Sequence, residues 1–261
     1  MRINHNISAM TTQSSMYKIN RDMSKSLERL STGLRINTAA DDAAGLGVSE
    51  NLRTQIKGTS QAMRNAQDGI AAISTAEGAA NEISEILQRM RELAIQSSND
   101  TLTSTERAYT NQEYQQLISE IDRIAEVTNY NGMKLISSSG TNANERFGIG
   151  GTGTATGSAL WIDANSTYGN DSITISIDTL TTAELGGGSG NTLNNTYLTS
   201  QTDANDAILA LDEAIDSVNT MRSNMGAFIN RLEHAINNLT ISNTNQQSAE
   251  SLIRDADFAR E

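Results

Sequence analysis

The chain has 261 residues and a formal net charge of −12, from 19 Lys and Arg against 31 Asp and Glu. Because nucleic-acid-binding domains carry a basic surface, this acidic balance argues against that class. The sequence has no cysteine and only two histidines, which excludes disulfides, thiolate nucleophiles, cysteine-ligated zinc and multi-histidine metal sites.

Proline is absent and aromatic residues make up only 4% of the chain. A thick globular core normally uses more rings, whereas a proline-free chain permits long unbroken helices. We therefore predict a mainly α fold: an elongated antiparallel helical bundle or coiled-coil rod, with a small β-rich insert. No apolar run is long enough to span a membrane, and the N-terminus lacks the apolar core of a secretory signal peptide.

Residues 1–35 carry six basic side chains against two acidic ones, and their apolar residues recur mostly at steps of three or four. This spacing predicts an amphipathic helix with a phase change near residue 18 and a break between residues 32 and 41. A short core cannot bury the whole stripe, and an unburied stripe indicates an assembly partner. The residues expected to pack against such a partner are Ile3, Ile7, Met10, Leu27, Leu30 and Leu34.

Two further helices are predicted over residues 42–98 and 103–129 from apolar residues at steps of three and four. The adjacent carboxylates Asp41 and Asp42 lack the further oxygen donors of a calcium loop, so we interpret them as helix N-caps. Thr103 and Glu106 have capping-box spacing. A turn is expected at residues 129–132.

Residues 138–200 are rich in Gly, Ser, Thr and Asn. Strict alternation over residues 172–177 predicts a half-buried strand, and residues 159–162 and 147–149 are weaker strand candidates. Within this insert, Gly148, Gly150 and Gly153 match the dinucleotide-binding pattern. No amphipathic helix follows them, so we interpret the motif as a glycine-rich loop.

The last predicted helix covers residues 203–256, with Asp203 as its N-cap. Its apolar positions alternate at steps of three and four as far as Leu239, which is typical of a coiled coil. The seam positions then turn polar at Asn243, Gln246 and Glu250. The core seam predicted between the helices consists of Ile70, Ile83, Leu87, Leu211, Ile215, Val218, Met225, Ile229, Leu232 and Ile236.

Neither His5 nor His234 stands in a hydrolase signature, so each is interpreted as a surface or interface residue. We predict no catalytic, metal or cofactor site and no enzymatic activity. The residues alone favour an assembling helical rod. Two hypotheses compete with it. One is a soluble ligand- or receptor-binding module built on a coiled coil, with the insert as binding surface, and the other is a nucleotide-dependent enzyme using the Gly148 loop.

Specific motifs now point to a family. They are LSTGLRIN at residues 30–37, DDAAGL at 41–46, LQRMRELAIQS at 87–97, EIDRIA at 120–125, Asn131-Gly132, RSNMGA at 222–227 and RDAD at 254–257. In this order they resemble bacterial flagellin over roughly residues 1–139 and 172–261.

The resemblance implies an extracellular subunit that leaves the cell unfolded through the flagellar type III export apparatus. It would polymerise with its own copies at the filament tip, in contact with filament cap and junction proteins, without nucleic acid and without membrane insertion. Residues 1–41 would form the filament-core segment and spoke, and residues 42–137 and 201–261 the helical core domain. Residues 138–200 would form a short variable insert on the surface.

Family members are also recognised by a Toll-like receptor of innate immunity, and the resemblance places that surface on Arg89, Leu93 and Glu113. In the family, the motif at residues 254–257 leads into a further C-terminal helix that pairs with the N-terminal one. That helix is expected to be missing here. A non-polymerising secreted relative and a hook–filament junction protein are therefore the alternatives.

Overall fold

A computed structural model describes residues 6–137, 147, 158–164, 171–186 and 192–259. These residues form four long helices and two antiparallel two-stranded ladders. The elements are α1 (Ile7–Thr32), α2 (Ala43–Ser97), α3 (Ser104–Val127), β1 (Asn129–Tyr130), β2 (Met133–Lys134), β3 (Ser158–Trp161), β4 (Ser172–Ile175) and α4 (Gln201–Arg254). The predicted class, mainly helical with a small β component, is confirmed.

The chain divides into two compact units. The terminal unit combines Met1–Gln61 with Leu239–Glu261, and the central unit is Ala62–Asn238. Because α2 and α4 each span a boundary of this division, each unit contains part of both helices. The four-part division expected from the sequence concerns roles in a filament, and it stays a prediction.

Helix α1 is closed at both ends by local hydrogen bonds. The Asn6 side chain accepts a hydrogen bond from the Ala9 amide at 3.2 Å. At the other end Gly33 adopts a left-handed conformation with φ of 70°, and its amide donates to the Arg29 carbonyl at 2.8 Å. A glycine tolerates this φ without strain, so it ends the helix inside the predicted break.

The two aspartates before α2 have different roles. Asp42 is the N-cap, because its carboxylate accepts from the Gly45 amide at 2.9 Å. Asp41 instead accepts from the amide and hydroxyl of Thr38, both at 3.1 Å, and lies 2.6 Å from the Lys25 ammonium. The bond to Lys25 contributes most, and the bonds to Thr38 contribute less. Together they hold the pKa of the Asp41 carboxyl well below its usual range.

The helix starts of α3 and α4 both use reciprocal caps. The predicted capping box of α3 is confirmed, with Thr103 and Glu106 each accepting from the other's amide. The prediction that Asp203 is the N-cap of α4 is wrong. The helix begins at Gln201, and the hydroxyl of Ser200 accepts from the Asp203 amide while the Asp203 carboxylate accepts from the Ser200 amide, both at 3.1 Å. Asp203 is therefore the third residue of the helix.

The core of the central unit is built mainly from aliphatic side chains on α2, α3 and α4. Of the predicted seam, Ile83, Leu87, Leu211, Val218, Met225 and Leu232 are buried, while Ile70, Ile215, Ile229 and Ile236 are partly buried and pack against this core. The Tyr114 hydroxyl is bonded to the Thr196 hydroxyl at 2.8 Å inside this unit. Burial of the Tyr114 ring raises its pKa to about 12.

The insert contributes a small hairpin and a segment that packs on α3. Strand β3 pairs with β4, with Leu160 opposite Ile173. The strand predicted over 172–177 ends at Ile175, which pairs with Ser158, the first residue of β3. Further along the chain, the Leu180 amide donates to the Ile136 carbonyl at 2.9 Å. The other weak candidate is described only at Phe147, and the Gly148 loop lies outside the described residues.

Candidate assembly surfaces

Helix α1 exposes an apolar surface along its length. None of its residues is buried. Seven of its large hydrophobic side chains are exposed, with exposed fractions from 56% at Met23 to 69% at Tyr17. We define the α1 apolar surface by the seven such residues: Ile7, Met10, Met16, Tyr17, Ile19, Met23 and Leu27. Exposed apolar surface of this extent is a feature of interaction sites.

This surface includes three of the residues that the sequence assigned to packing with a partner, namely Ile7, Met10 and Leu27. Leu30 and Leu34 are partly buried, and Ile3 lies outside the described residues. The assignment of these residues to contacts between subunits stays a prediction.

In the terminal unit, the segment that follows α1 is hydrogen-bonded to the end of α4. The Arg35 amide donates to the Arg254 carbonyl at 2.7 Å, and the Ala256 amide donates to the Gly33 carbonyl at 3.0 Å. The Arg35 guanidinium also bonds the Ile253 carbonyl at 2.6 Å, which satisfies one of the free carbonyls at the end of α4. The segment that leads out of α1 is thereby fixed to the end of α4.

Arg254 adds a side-chain contact to this junction. Its guanidinium lies 2.7 Å from the Glu50 carboxylate on α2. The hydrogen bond from Arg254 lowers the pKa of the Glu50 carboxyl. Arg35 and Arg254 both belong to the motifs that resemble flagellin, but nothing in the sequence pairs them. Residues more than two hundred positions apart give no local signal of contact.

A polar contact replaces apolar packing between α2 and α4 in the terminal unit. The side-chain amide of Asn243 donates to the Ile56 carbonyl at 3.1 Å, the Thr59 hydroxyl at 2.8 Å and the Ser60 hydroxyl at 3.0 Å. The sequence pattern indicated that the seam turns polar at Asn243, but it did not predict a partner for this residue. A polar residue at a seam position fixes the register of paired helices at a cost in stability.

The residues expected to meet an innate receptor lie on α2 and α3 of the central unit. The Arg89 guanidinium bonds the Glu113 carboxylate at 2.9 Å and the Glu92 carboxylate at 3.0 Å, and all three side chains are exposed. The hydrogen bond to Glu113, and to a lesser extent the one to Glu92, raises the pKa of the Arg89 guanidinium. Leu93 is only 2% exposed and belongs to the core, so it offers no accessible contact surface here.

Within the part of the chain that the structure describes, no three His, Cys, Asp or Glu side chains are grouped so as to hold a metal ion. In the same part of the chain, no helix is both long enough and apolar enough to cross a bilayer. His234 is exposed on α4, and His5 lies outside the described residues.

Two family models match the regions that carry these surfaces. The bacterial flagellin N-terminal helical region matches residues 3–141, and the bacterial flagellin C-terminal helical region matches residues 208–261. The chain belongs to the bacterial flagellin family. Because the C-terminal model extends to residue 261, the expectation that a C-terminal helix is missing is not confirmed.

Individual relatives agree with the family models. A flagellin of Halalkalibacterium halodurans is 42% identical over 261 residues, covering all of this chain and 88% of that protein. A flagellar filament 33 kDa core protein of Treponema phagedenis is 42% identical with the same coverage. The similarity therefore extends over the insert as well as the helical regions.

Solved structures agree in fold. The crystal structure of Bacillus cereus flagellin covers 72% of this chain and 94% of its own, with 33% identity and a TM-score of 0.53. A putative flagellar hook-associated protein from Vibrio parahaemolyticus reaches a TM-score of 0.62 at 17% identity. At that identity the second similarity concerns the fold alone.

Proposed function

We propose that the chain is a structural subunit of the bacterial flagellar filament, an extracellular appendage in which many copies associate. The observation that carries this proposal is the α1 apolar surface on a helix with no buried residue. Most helical stability in proteins comes from packing an amphipathic face, and α1 lacks such packing in the single chain. Association with further copies would supply it.

The family relationship supports the same proposal. Relatives that match the whole chain include a flagellin and a flagellar filament core protein. By this relationship, the subunit would be exported unfolded by the flagellar type III apparatus and added at the distal tip beneath the filament cap. The absence of cysteine and proline suits this route, since no disulfide or slow prolyl isomerisation delays folding after export.

The test is seeded polymerisation of the purified chain, followed by sedimentation and electron microscopy. The chain should form filaments above a critical concentration, and Leu27→Asn should raise that concentration about tenfold or more, because a polar group would be buried without a partner. Leu209→Asn is the matched control, since Leu27 and Leu209 are equally exposed, at 60%. A chain that stays monomeric at all concentrations would favour the non-polymerising secreted relative.

We further propose that Arg89 and Glu113 contribute to recognition by a Toll-like receptor. Both side chains are exposed, and their ion pair fixes one charged patch on the surface. Arg89→Glu should reduce receptor signalling by soluble subunit in a reporter cell assay. Arg123→Glu is the control, because Arg123 forms a similar exposed pair with Glu120. Equal signalling by the two variants would contradict the proposal.

A further inference from the structure

The sulfur atoms of this chain have an uneven distribution. With nine methionines and no cysteine, thioethers are the only oxidisable sulfur in the sequence. Met10, Met16 and Met23 on α1 are each more than half exposed. By contrast, Met90, Met221 and Met225 are buried in the core of the central unit, and Met63 and Met133 are partly buried. Met1 lies outside the described residues. Every strongly exposed methionine that the structure describes is therefore on α1.

These three methionines occupy both apolar faces of α1. Met10 follows Ile7 by three residues, whereas Met16, Ile19, Met23 and Leu27 follow one another at steps of three and four. At 3.6 residues per turn these two series lie on different sides of the helix. The phase change near residue 18 therefore gives α1 two apolar stripes, and each contains methionine.

We propose that Met10, Met16 and Met23 form an oxidation-sensitive site that controls assembly of the subunit. Hydrogen peroxide or hypochlorous acid in the surroundings would be the oxidant. Each thioether sulfur loses two electrons and gains one oxygen atom, giving a sulfoxide. Hydrogen peroxide is reduced to water in this step, and hypochlorous acid is reduced to chloride with release of a proton. This inference rests on the proposed function, since it requires that α1 packs against other copies.

The sulfoxide changes the surface in a way that packing does not tolerate. The reaction converts a flexible apolar side chain into a polar one, and such changes disrupt methionine-rich interfaces. A sulfoxide oxygen on either stripe would be buried without a donor when α1 is covered. The single chain loses little, because α1 has no buried residue in it. Oxidation would therefore block assembly while leaving the central unit folded.

The reaction is reversible by methionine sulfoxide reductases, which restore the thioether. Burial in an assembly would also shield the three sulfurs, because oxidation of methionine depends on access of the oxidant. Free subunits would therefore be sensitive, and subunits inside a filament would be protected.

The test uses the complete chain, limiting hydrogen peroxide, peptide mapping by mass spectrometry and a sedimentation assay. Oxidised subunits should carry sulfoxide at residues 10, 16 and 23 before residues 90, 221 and 225. Their critical concentration for assembly should rise about tenfold or more, because unpaired polar groups would be buried. Met1 is quantified separately in the map.

Two matched triple variants locate the effect. M10L, M16L and M23L together should assemble equally well with and without peroxide. M90L, M221L and M225L together should remain as sensitive as the original chain. Treatment of the oxidised original chain with sulfoxide reductases should restore assembly, and this measurement needs no variant.

Three results would contradict the inference, and a fourth would contradict the proposed function. Oxidised chain that assembles at an unchanged critical concentration would overturn the inference, as would an α1 triple variant that is still sensitive to peroxide. Failure of reductase treatment to restore assembly would also count against it. If the untreated chain never assembles, the proposed function itself fails, and the inference fails with it.

Discussion

The terminal and central units differ in how much of their apolar surface they cover. Among the described residues, every buried hydrophobic side chain except Ile36 and Leu239 lies in the central unit. The terminal unit has a polar contact from Asn243 between its helices and leaves the α1 apolar surface exposed. The central unit thus completes its own core, while the terminal unit is incomplete as a single chain.

The two units also differ in charge. The terminal unit has ten basic and nine acidic side chains, a net charge of +1, whereas the central unit has nine basic and 22 acidic ones, a net charge of −13. Like charge opposes close approach of copies, and salt screens that repulsion. The α1 apolar surface therefore lies in the terminal unit, whose small net charge gives the weaker electrostatic repulsion between copies.

The largest expected contrast is between a buried and an exposed leucine. Leu87 is fully buried in the central unit, so Leu87→Ala should lower the free energy of unfolding by about 2–5 kcal/mol. Leu27→Ala on α1 should change it by less than about 0.5 kcal/mol, since Leu27 is mostly exposed. Denaturant unfolding of monomeric protein measures both. Equal losses would mean that α1 is packed in the single chain.

A smaller effect should separate two asparagines on α4 in the terminal unit. Asn243→Ala removes the amide group whose two N–H bonds are shared among three acceptors, and it should destabilise the α2–α4 pair by about 1–2 kcal/mol. Asn245→Ala is the control, because Asn245 is exposed and both changes alter helix propensity equally. Amide hydrogen exchange at residues 56–60 is the direct readout. Similar exchange in the two variants would show that the polar contact is not important for stability.

Periodicity predicted the long helices to within about two residues at most ends, because their apolar spacing and caps are local properties. The contacts that organise the terminal unit were not predictable in this way. The bonds from Asn243 and from Arg35 depend on the register between segments far apart in sequence. Burial was also not predictable from a motif. The motif that contains Leu93 matches in residue type and context, but it does not indicate that the Leu93 side chain is buried.

The smallest expected effect tests how closely the insert packs on α2 in the central unit. A Cβ added at Gly69 would lie 2.5 Å from Cδ1 of Leu160 on β3, whereas at Gly78 it would have no neighbour within 4 Å. Both changes to alanine favour the helix by about 1 kcal/mol, so their difference isolates the contact with Leu160. Because Leu160 is partly buried and its side chain can shift, Gly69→Ala should be about 1 kcal/mol less stabilising than Gly78→Ala. Thermal unfolding of the two variants provides the comparison. An equal gain in both would mean that the β3–β4 hairpin is not held against α2.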